Sequence, residues 1–303
     1  MKDVPAGIVP GVHVQAGAPT RRAADYVELM KPRLNGLVVA SSAAGYYLGQ
    51  SGAIDSLAMA QAVAGTALVA AGAAALNQVS ERDADGMMRR TAGRPLPGGR
   101  VAPGDAAVFG AILSIAGIAI LALRANVLSA VLAAATLVIY LVVYTPMKRR
   151  TPLSTLVGAI PGALPPLIGW TASHGRVAQG GAALFAIVFL WQIPHFMAIA
   201  WLYRDDYARA RFPMLAVIDP TGRRAARQAV FFSGVLLPIS LLPAFIGIAG
   251  TAYMAVAVTL GLGLVWLSIR FAADRDLPSA RMLFLGSITY LPLLWIAMIV
   301  NKL

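Results

Sequence analysis

Apolar runs, each about long enough to cross a bilayer, recur along the chain, and nearly all the cations gather in the loops between them. The runs lie near 34–50, 56–80, 105–123, 126–147, 152–172, 180–202, 229–248, 250–269 and 283–301. Each approaches the roughly 20 residues that a helix needs to span a hydrocarbon core of about 30 Å. With 58% hydrophobic and only 13% charged residues, the chain is far more apolar than an ordinary soluble domain. This pattern predicts an all-α polytopic membrane protein of nine transmembrane helices, in which only Ile246 to Thr251 separates the seventh and eighth spans.

Charge placement gives an independent test, because short cytoplasmic loops hold the Lys and Arg. Of the 25 such residues, all but Arg124, Arg176 and Lys302 fall in the N-terminal arm or in the second, fourth, sixth and eighth loops. The N-terminus is therefore expected inside and the C-terminus outside. The net charge of +12 is accounted for by this topology and by anionic lipid, which leaves no case for nucleic-acid binding. The absence of cysteine excludes disulfides and thiolate metal sites. Residues 1–24 read as a disordered cytoplasmic tail and 25–303 as a single transmembrane domain. The tail resembles neither a signal peptide nor an Arg- and Ser-rich transit peptide, so the expected location is a bacterial inner membrane.

At the inner end of the second span stands Asn77-x3-Glu81-x3-Asp85, followed by Arg89, Arg90, Arg94 and Arg100. Steps of four residues turn about 400° on an α-helix, so one face carries three oxygen ligands, each some 6 Å beyond the last. Carboxylate and amide oxygens suit Mg²⁺, which binds through one or two carboxylates and completes its shell with substrate phosphates and water. A diphosphate substrate would complete such a site. The alternative is a wet helix end whose acids pair with the nearby arginines. Asp83 lies about 200° round from Glu81 and Asp85 in a continuous helix and is expected to face elsewhere; a break at Gly86 would relax that expectation.

A second acidic cluster, Arg204-Asp205-Asp206-Tyr207-Ala208-Arg209, is expected on the same side. Two carboxylate clusters flanked by arginines could hold a metal-bound diphosphate; a salt-bridged loop would show similar letters. Tyr144 and Lys148 share a helix face and offer a phenol and an ammonium to a phosphate, unless Lys148 only snorkels to the interface. Trp191-Gln192-Ile193-Pro194-His195-Phe196 puts an amide and an imidazole at membrane depth, where such groups face a cavity or bond across helices. Gly158, Gly162, Pro165, Pro166 and Gly169 predict a proline-broken fifth span that packs closely or opens a pocket. No role is assigned to His13 or His174.

Asn77-x3-Glu81-x-Asp83-x-Asp85 with Met88-Arg89-Arg90-Thr91-x2-Arg94-Pro95-Leu96 resembles the first aspartate-rich motif of the UbiA-type intramembrane prenyltransferases. Further strings resemble the branch that farnesylates protohaem IX: Lys31-Pro32-Arg33, Tyr144-Thr145-Pro146-x-Lys148-Arg149-Arg150-Thr151, Gly162 to Trp170, Trp191-Gln192-x-Pro194-His195-Phe196 and Asp206-Tyr207-x-Arg209-Ala210-x2-Pro213-Met214-Leu215. The resemblance spans roughly residues 25–300. One departure is Ala210, four residues after Asp206, where the wider superfamily commonly has a second aspartate; Asp205 or water would have to supply the missing ligand.

The resemblance implies nine helices around a central cavity and farnesyl transfer from farnesyl diphosphate to a vinyl group of haem b, with addition of water. It implies Mg²⁺ bound with the diphosphate at Asn77, Glu81, Asp85 and Asp206. Lys148, Tyr144, Arg89, Arg90, Arg94 and Arg209 are the candidates for phosphate contacts, with Asp205 in support; His195, an imidazole at membrane depth, is the candidate for contacting haem, either as an axial ligand or near a propionate, and haem is a substrate and not a cofactor. A haem-handling or cytochrome oxidase assembly partner is a candidate. The rival readings are a related prenyltransferase acting on a quinone precursor or chlorophyll-like acceptor and, more remotely, a solute transporter.

Overall fold

The computed structural model describes residues 19–303, which are almost wholly helical. Residues 1–18 of the expected tail lie outside the described residues, and helix α1 (Pro19–Leu29) begins within the segment read as tail. There follow α2 (Pro32–Gly49), α3 (Ser56–Met87), α4 (Pro103–Arg124) and α5 (Val127–Val138), the last continued by a π-helical turn, Ile139–Tyr144, into α6 (Thr145–Met147). Then come α7 (Ser154–His174), α8 (Gln179–Leu202), the short α9 (Arg204–Arg209) and α10 (Leu215–Ile218), α11 (Arg223–Ile239), α12 (Leu242–Phe245), α13 (Thr251–Asp274) and α14 (Leu277–Val300).

Among the described residues eight helices are long and apolar enough to cross a membrane. The expected first span is not one of them. Its segment forms α2, 18 residues long, but Asn35, Ser41, Ser42 and several Gly and Ala dilute its apolar character. Its small residues serve packing instead. A Cβ added at Gly169 of α7 would overlap the Ser42 carbonyl oxygen of α2, and one added at Gly45 would overlap the Pro166 carbonyl oxygen of α7. The two backbones therefore touch, which is how membrane helices associate where lipid offers no hydrophobic drive. Gly169→Ala should cost about 1–3 kcal/mol or more by overpacking, seen as a lowered melting temperature in detergent. Gly36→Ala, at a position with no atom within 4 Å of the added carbon, should leave melting unchanged; equal behaviour of the two variants would sink the close-contact account.

The fifth expected span, α7, stays helical from Ser154 to His174 with Pro161, Pro165 and Pro166 inside it, so the predicted break is absent. Proline is tolerated in a membrane helix where neighbouring elements take up the freed backbone groups. Outward faces such as Val108, Ile112 and Ile115 of α4 are exposed, a surface suited to lipid and not to water.

Helix α3 fixes the position of the chemistry. Its 32 residues extend about 48 Å at 1.5 Å per residue, well beyond a hydrocarbon core of about 30 Å. Asp55 caps its start by accepting from the Ala58 N–H at 2.9 Å, and the helix runs unbroken through Gly86 to Met87. Its last turns, carrying Glu81 and Asp85, therefore project into the polar zone at one end of the bundle. There Ala84 and Met88 pack against Ala210, Phe212 and Met214, so an apolar clamp draws the loop after α8 over the end of α3.

Candidate active site

That clamp brings the two acidic segments together. Asp206, 7% exposed, accepts a hydrogen bond from the Arg89 backbone N–H at 3.2 Å, just past the end of α3. It also pairs with the Arg209 guanidinium one turn on. Asn77, Glu81 and Asp85 are all buried, at 2, 5 and 1% exposure, whereas the Asp83 side chain is 76% exposed and pairs with Arg82. The unbroken helix thus places Asp83 away from the buried three, as the 200° rotation requires.

Each buried carboxylate already has a cation. Lys148 donates to both Glu81 oxygens, at 2.7 and 3.0 Å, and Arg94 donates to Asp85 Oδ2 at 2.7 Å. Lys148 also sits 5.3 Å from the ring centroids of Tyr144 and Phe212. Glu81, Lys148, Asp85, Arg94, Asp206 and Arg209 therefore form three ion pairs. Among the described residues no three acidic or histidine side chains approach closely enough to hold a metal ion by themselves. The donors are all hard oxygens and suit Mg²⁺ in kind. A site that needs both a metal and substrate phosphates is consistent with this arrangement, because Mg²⁺ takes few protein ligands.

The remaining expected residues divide. Arg89 is exposed on the rim, and Arg90 stacks over Tyr203 with 5.0 Å from guanidinium to ring centroid. Asp205 is 87% exposed, 3.9 Å from Arg204, and is not gathered into the cluster beside its buried neighbour Asp206. His195 faces α14: its Nδ1 lies 2.9 Å from Ser287 Oγ, and its ring stacks between Trp191 and Phe284. It is bonded across helices, and the flanking Gln192 and Phe196, not His195, line the central cavity.

That cavity, about 310 Å³, runs from Lys31 past Tyr144 and Tyr140 to Gly162, Gln192 and Phe196. Gly158 matters here, since a Cβ at that position would strike the Tyr144 ring and push it from the wall. The volume is at the low end for ligand pockets of about 300–1,000 Å³, room for an apolar chain. The acidic cluster lies at its mouth, where Tyr144 and Lys31 belong to the cavity wall and Lys148 and Arg94 to the ion pairs. Burial, with the Arg94 guanidinium second, pushes the Lys31 ammonium down to about 8, and its backbone is left-handed at φ 49°.

Three contributors were missed in the sequence. Lys31 was noted only as part of a string, although the first basic residue before an apolar segment is a recognisable mouth position. Tyr140, whose ring stacks on Tyr144 at 5.4 Å, could have been found four residues upstream of it. Thr145, which accepts from Asn77 Nδ2 at 3.1 Å, likewise stood only within a string, and nothing local points it at Asn77.

The UbiA prenyltransferase family matches residues 38–295. A protoheme IX farnesyltransferase of Solibacter usitatus is 48% identical over 92% of this chain and 98% of its own length. One from Koribacter versatilis is 44% identical over 92% and 93%. Among solved structures, a digeranylgeranylglyceryl phosphate synthase superposes with a TM-score of 0.78 at 17% identity, covering 93% of this chain and 98% of its own. A UbiA homologue from Archaeoglobus fulgidus bound to DMAPP and Mg²⁺ superposes with a TM-score of 0.70 at 14% identity, over 90% and 99%.

Proposed function

This chain belongs to the UbiA prenyltransferase family, and from that premise we propose that it farnesylates haem b, using farnesyl diphosphate and water and yielding haem O and diphosphate. The observation that carries this reading is the near full-length similarity to protoheme IX farnesyltransferases. It favours a haem acceptor over a quinone precursor. A transporter is disfavoured because the charged groups sit at one end of the bundle and not near its middle.

In this reading the prenyl tail lies in the apolar cavity and the diphosphate at its mouth. Asn77, Glu81, Asp85 and Asp206 would hold Mg²⁺, which when bound with the diphosphate draws off the charge that builds on the leaving group. Lys148, Arg94 and Arg209 exchange their carboxylate partners for phosphate oxygens, with Tyr144 as a further donor and Arg89 and Arg90 on the rim. Asp205, exposed, has no part in that set. The allylic C–O bond breaks with its electron pair leaving on diphosphate, and the cavity walls keep water from the cation. The vinyl double bond then attacks, and water captures the resulting benzylic-type cation and releases a proton, so no oxidant or reductant is consumed. Orientation of the two substrates is the main contribution of the walls. His195 is retained as the candidate haem contact, behind the cavity wall that Gln192 and Phe196 form and held by Ser287. The acidic mouth faces the cytoplasm of a bacterial inner membrane, as the loop charges indicate, and a haem-handling or oxidase-assembly protein is the candidate partner.

The test is direct. Purified protein incubated with haem b, farnesyl diphosphate and Mg²⁺ should yield hydroxyethylfarnesyl haem by mass spectrometry, and EDTA should abolish it. Farnesylation of a quinone precursor without any haem product would move the chain to a different branch of the family.

A further inference from the structure

We infer that Thr145 is a positioning residue: it fixes the orientation of the Asn77 amide so that the oxygen, and not the nitrogen, is presented to the metal and diphosphate. This inference rests on the reading of Asn77 as an oxygen ligand.

The argument starts at Pro146. A proline inside a helix has no N–H to give and crowds the carbonyl four residues back, here Val142. The chain accommodates this by widening the preceding turn into the π-helical segment Ile139–Tyr144. Such single π turns inside α-helices are frequent at functional sites. At its end the Thr145 backbone N–H bonds five residues back, to the Tyr140 carbonyl. The Thr145 hydroxyl donates to the same carbonyl at 2.8 Å.

A hydroxyl has one proton, and the Tyr140 carbonyl takes it. Toward Asn77, 3.1 Å away, Thr145 can therefore only accept. Only the amide nitrogen can donate, so the Asn77 NH₂ must face Thr145 and Oδ1 must face away from it. The Tyr140 carbonyl is the nearer of the hydroxyl's two partners, at 2.8 against 3.1 Å, and it is this geometry that assigns the proton to the carbonyl and the amide nitrogen to Thr145. Among the described residues no protein donor reaches Asn77 Oδ1, although the residue is only 2% exposed. A buried amide whose nitrogen is pinned and whose oxygen is left open is arranged as a ligand, as a second layer of partners commonly orients metal-binding groups. Pairing across 68 residues also locks α3 to the π turn that carries Tyr140 and Tyr144 into the cavity, so metal ligand and cavity wall are set by one hydroxyl.

Mn²⁺ replaces Mg²⁺ as a spectroscopic probe. Its binding to the full-length protein in detergent, in the presence of pyrophosphate, is titrated by electron paramagnetic resonance beside a melting curve for each variant. Thr145→Val should weaken Mn²⁺ binding by about 10–100-fold, the range for losing an orienting partner, and raise the Mg²⁺ concentration needed for half-maximal rate. Thr145→Ser, which keeps the hydroxyl, should bind as the unaltered chain does. If Thr145→Val does not fold, Thr145→Ala serves with the same expectation. Unchanged Mn²⁺ binding in the hydroxyl-free variant, alongside weakened binding in Asn77→Ala, would overturn the positioning role alone. Unchanged binding in Asn77→Ala would instead overturn the ligand reading of Asn77, and the positioning role with it.

Discussion

Asp85→Asn is expected to lower farnesyl transfer by about 10²–10³-fold, the scale for losing one group that stabilises developing charge, while the protein still folds. Asp85 is 1% exposed, and its one side-chain partner among the described residues is Arg94. An asparagine keeps an oxygen for that guanidinium, and the turn after α3 stays tied, because Thr91 Oγ1 bonds the Asp85 backbone carbonyl at 2.8 Å and not its side chain. What disappears is a negative charge that a divalent ion would require. Initial rates of haem product, measured by chromatography and mass spectrometry beside a melting curve, decide the matter. A rate within about threefold of the unaltered chain, with normal melting, would show that the charge at position 85 takes no part in the chemistry.

The acidic face was legible because it rests on a local rule. Asn77, Glu81 and Asp85 recur at the helical period, and α3 preserves that period through Gly86, so the rotation of Asp83 out of the group followed as well. The pairing of the acids with nearby bases was visible only as a general alternative. Arg94 is nine residues from Asp85, but Lys148 is 67 from Glu81, and nothing local selects one lysine on another helix. Of the nine expected spans, eight are helices long and apolar enough to cross a membrane; the other, α2, is about the right length, but its packing against α7 depends on small and polar residues that dilute hydropathy. The prolines of α7 were read as breaking the helix, whereas it stays continuous and its small residues give the close packing against α2 that was the other half of that reading. The π turn was invisible because one extra residue in a uniformly apolar stretch leaves no mark on its pattern. With that turn hidden, Thr145 could not be placed beside Asn77.

Lys148→Met is expected to destabilise the fold by about 3–5 kcal/mol, the cost of removing one partner from a buried ion pair. The Glu81 side chain is 6% exposed and that of Lys148 13%, so neither charge can turn to water when the other is lost. Methionine replaces the aliphatic stem at similar volume, which confines the change to the ammonium. The penalty belongs to the stranded carboxylate and not to any large net worth of the pair, since desolvation opposes most of the Coulombic gain. Removing both charges, in Lys148→Met with Glu81→Gln, should therefore restore most of the stability. It should not restore turnover, because the double variant lacks both a metal ligand and a phosphate contact. Stability is read from denaturation midpoints in detergent without Mg²⁺, and turnover from haem product. If the loss in the double variant equals the sum of the losses in Lys148→Met and in Glu81→Gln measured alone, the coupling between these two residues is small and the picture of carboxylates held in reserve by their own cations fails. If it recovers stability and stays inactive, the same two side chains are shown to support the fold as partners of each other and the reaction as partners of the diphosphate and its metal.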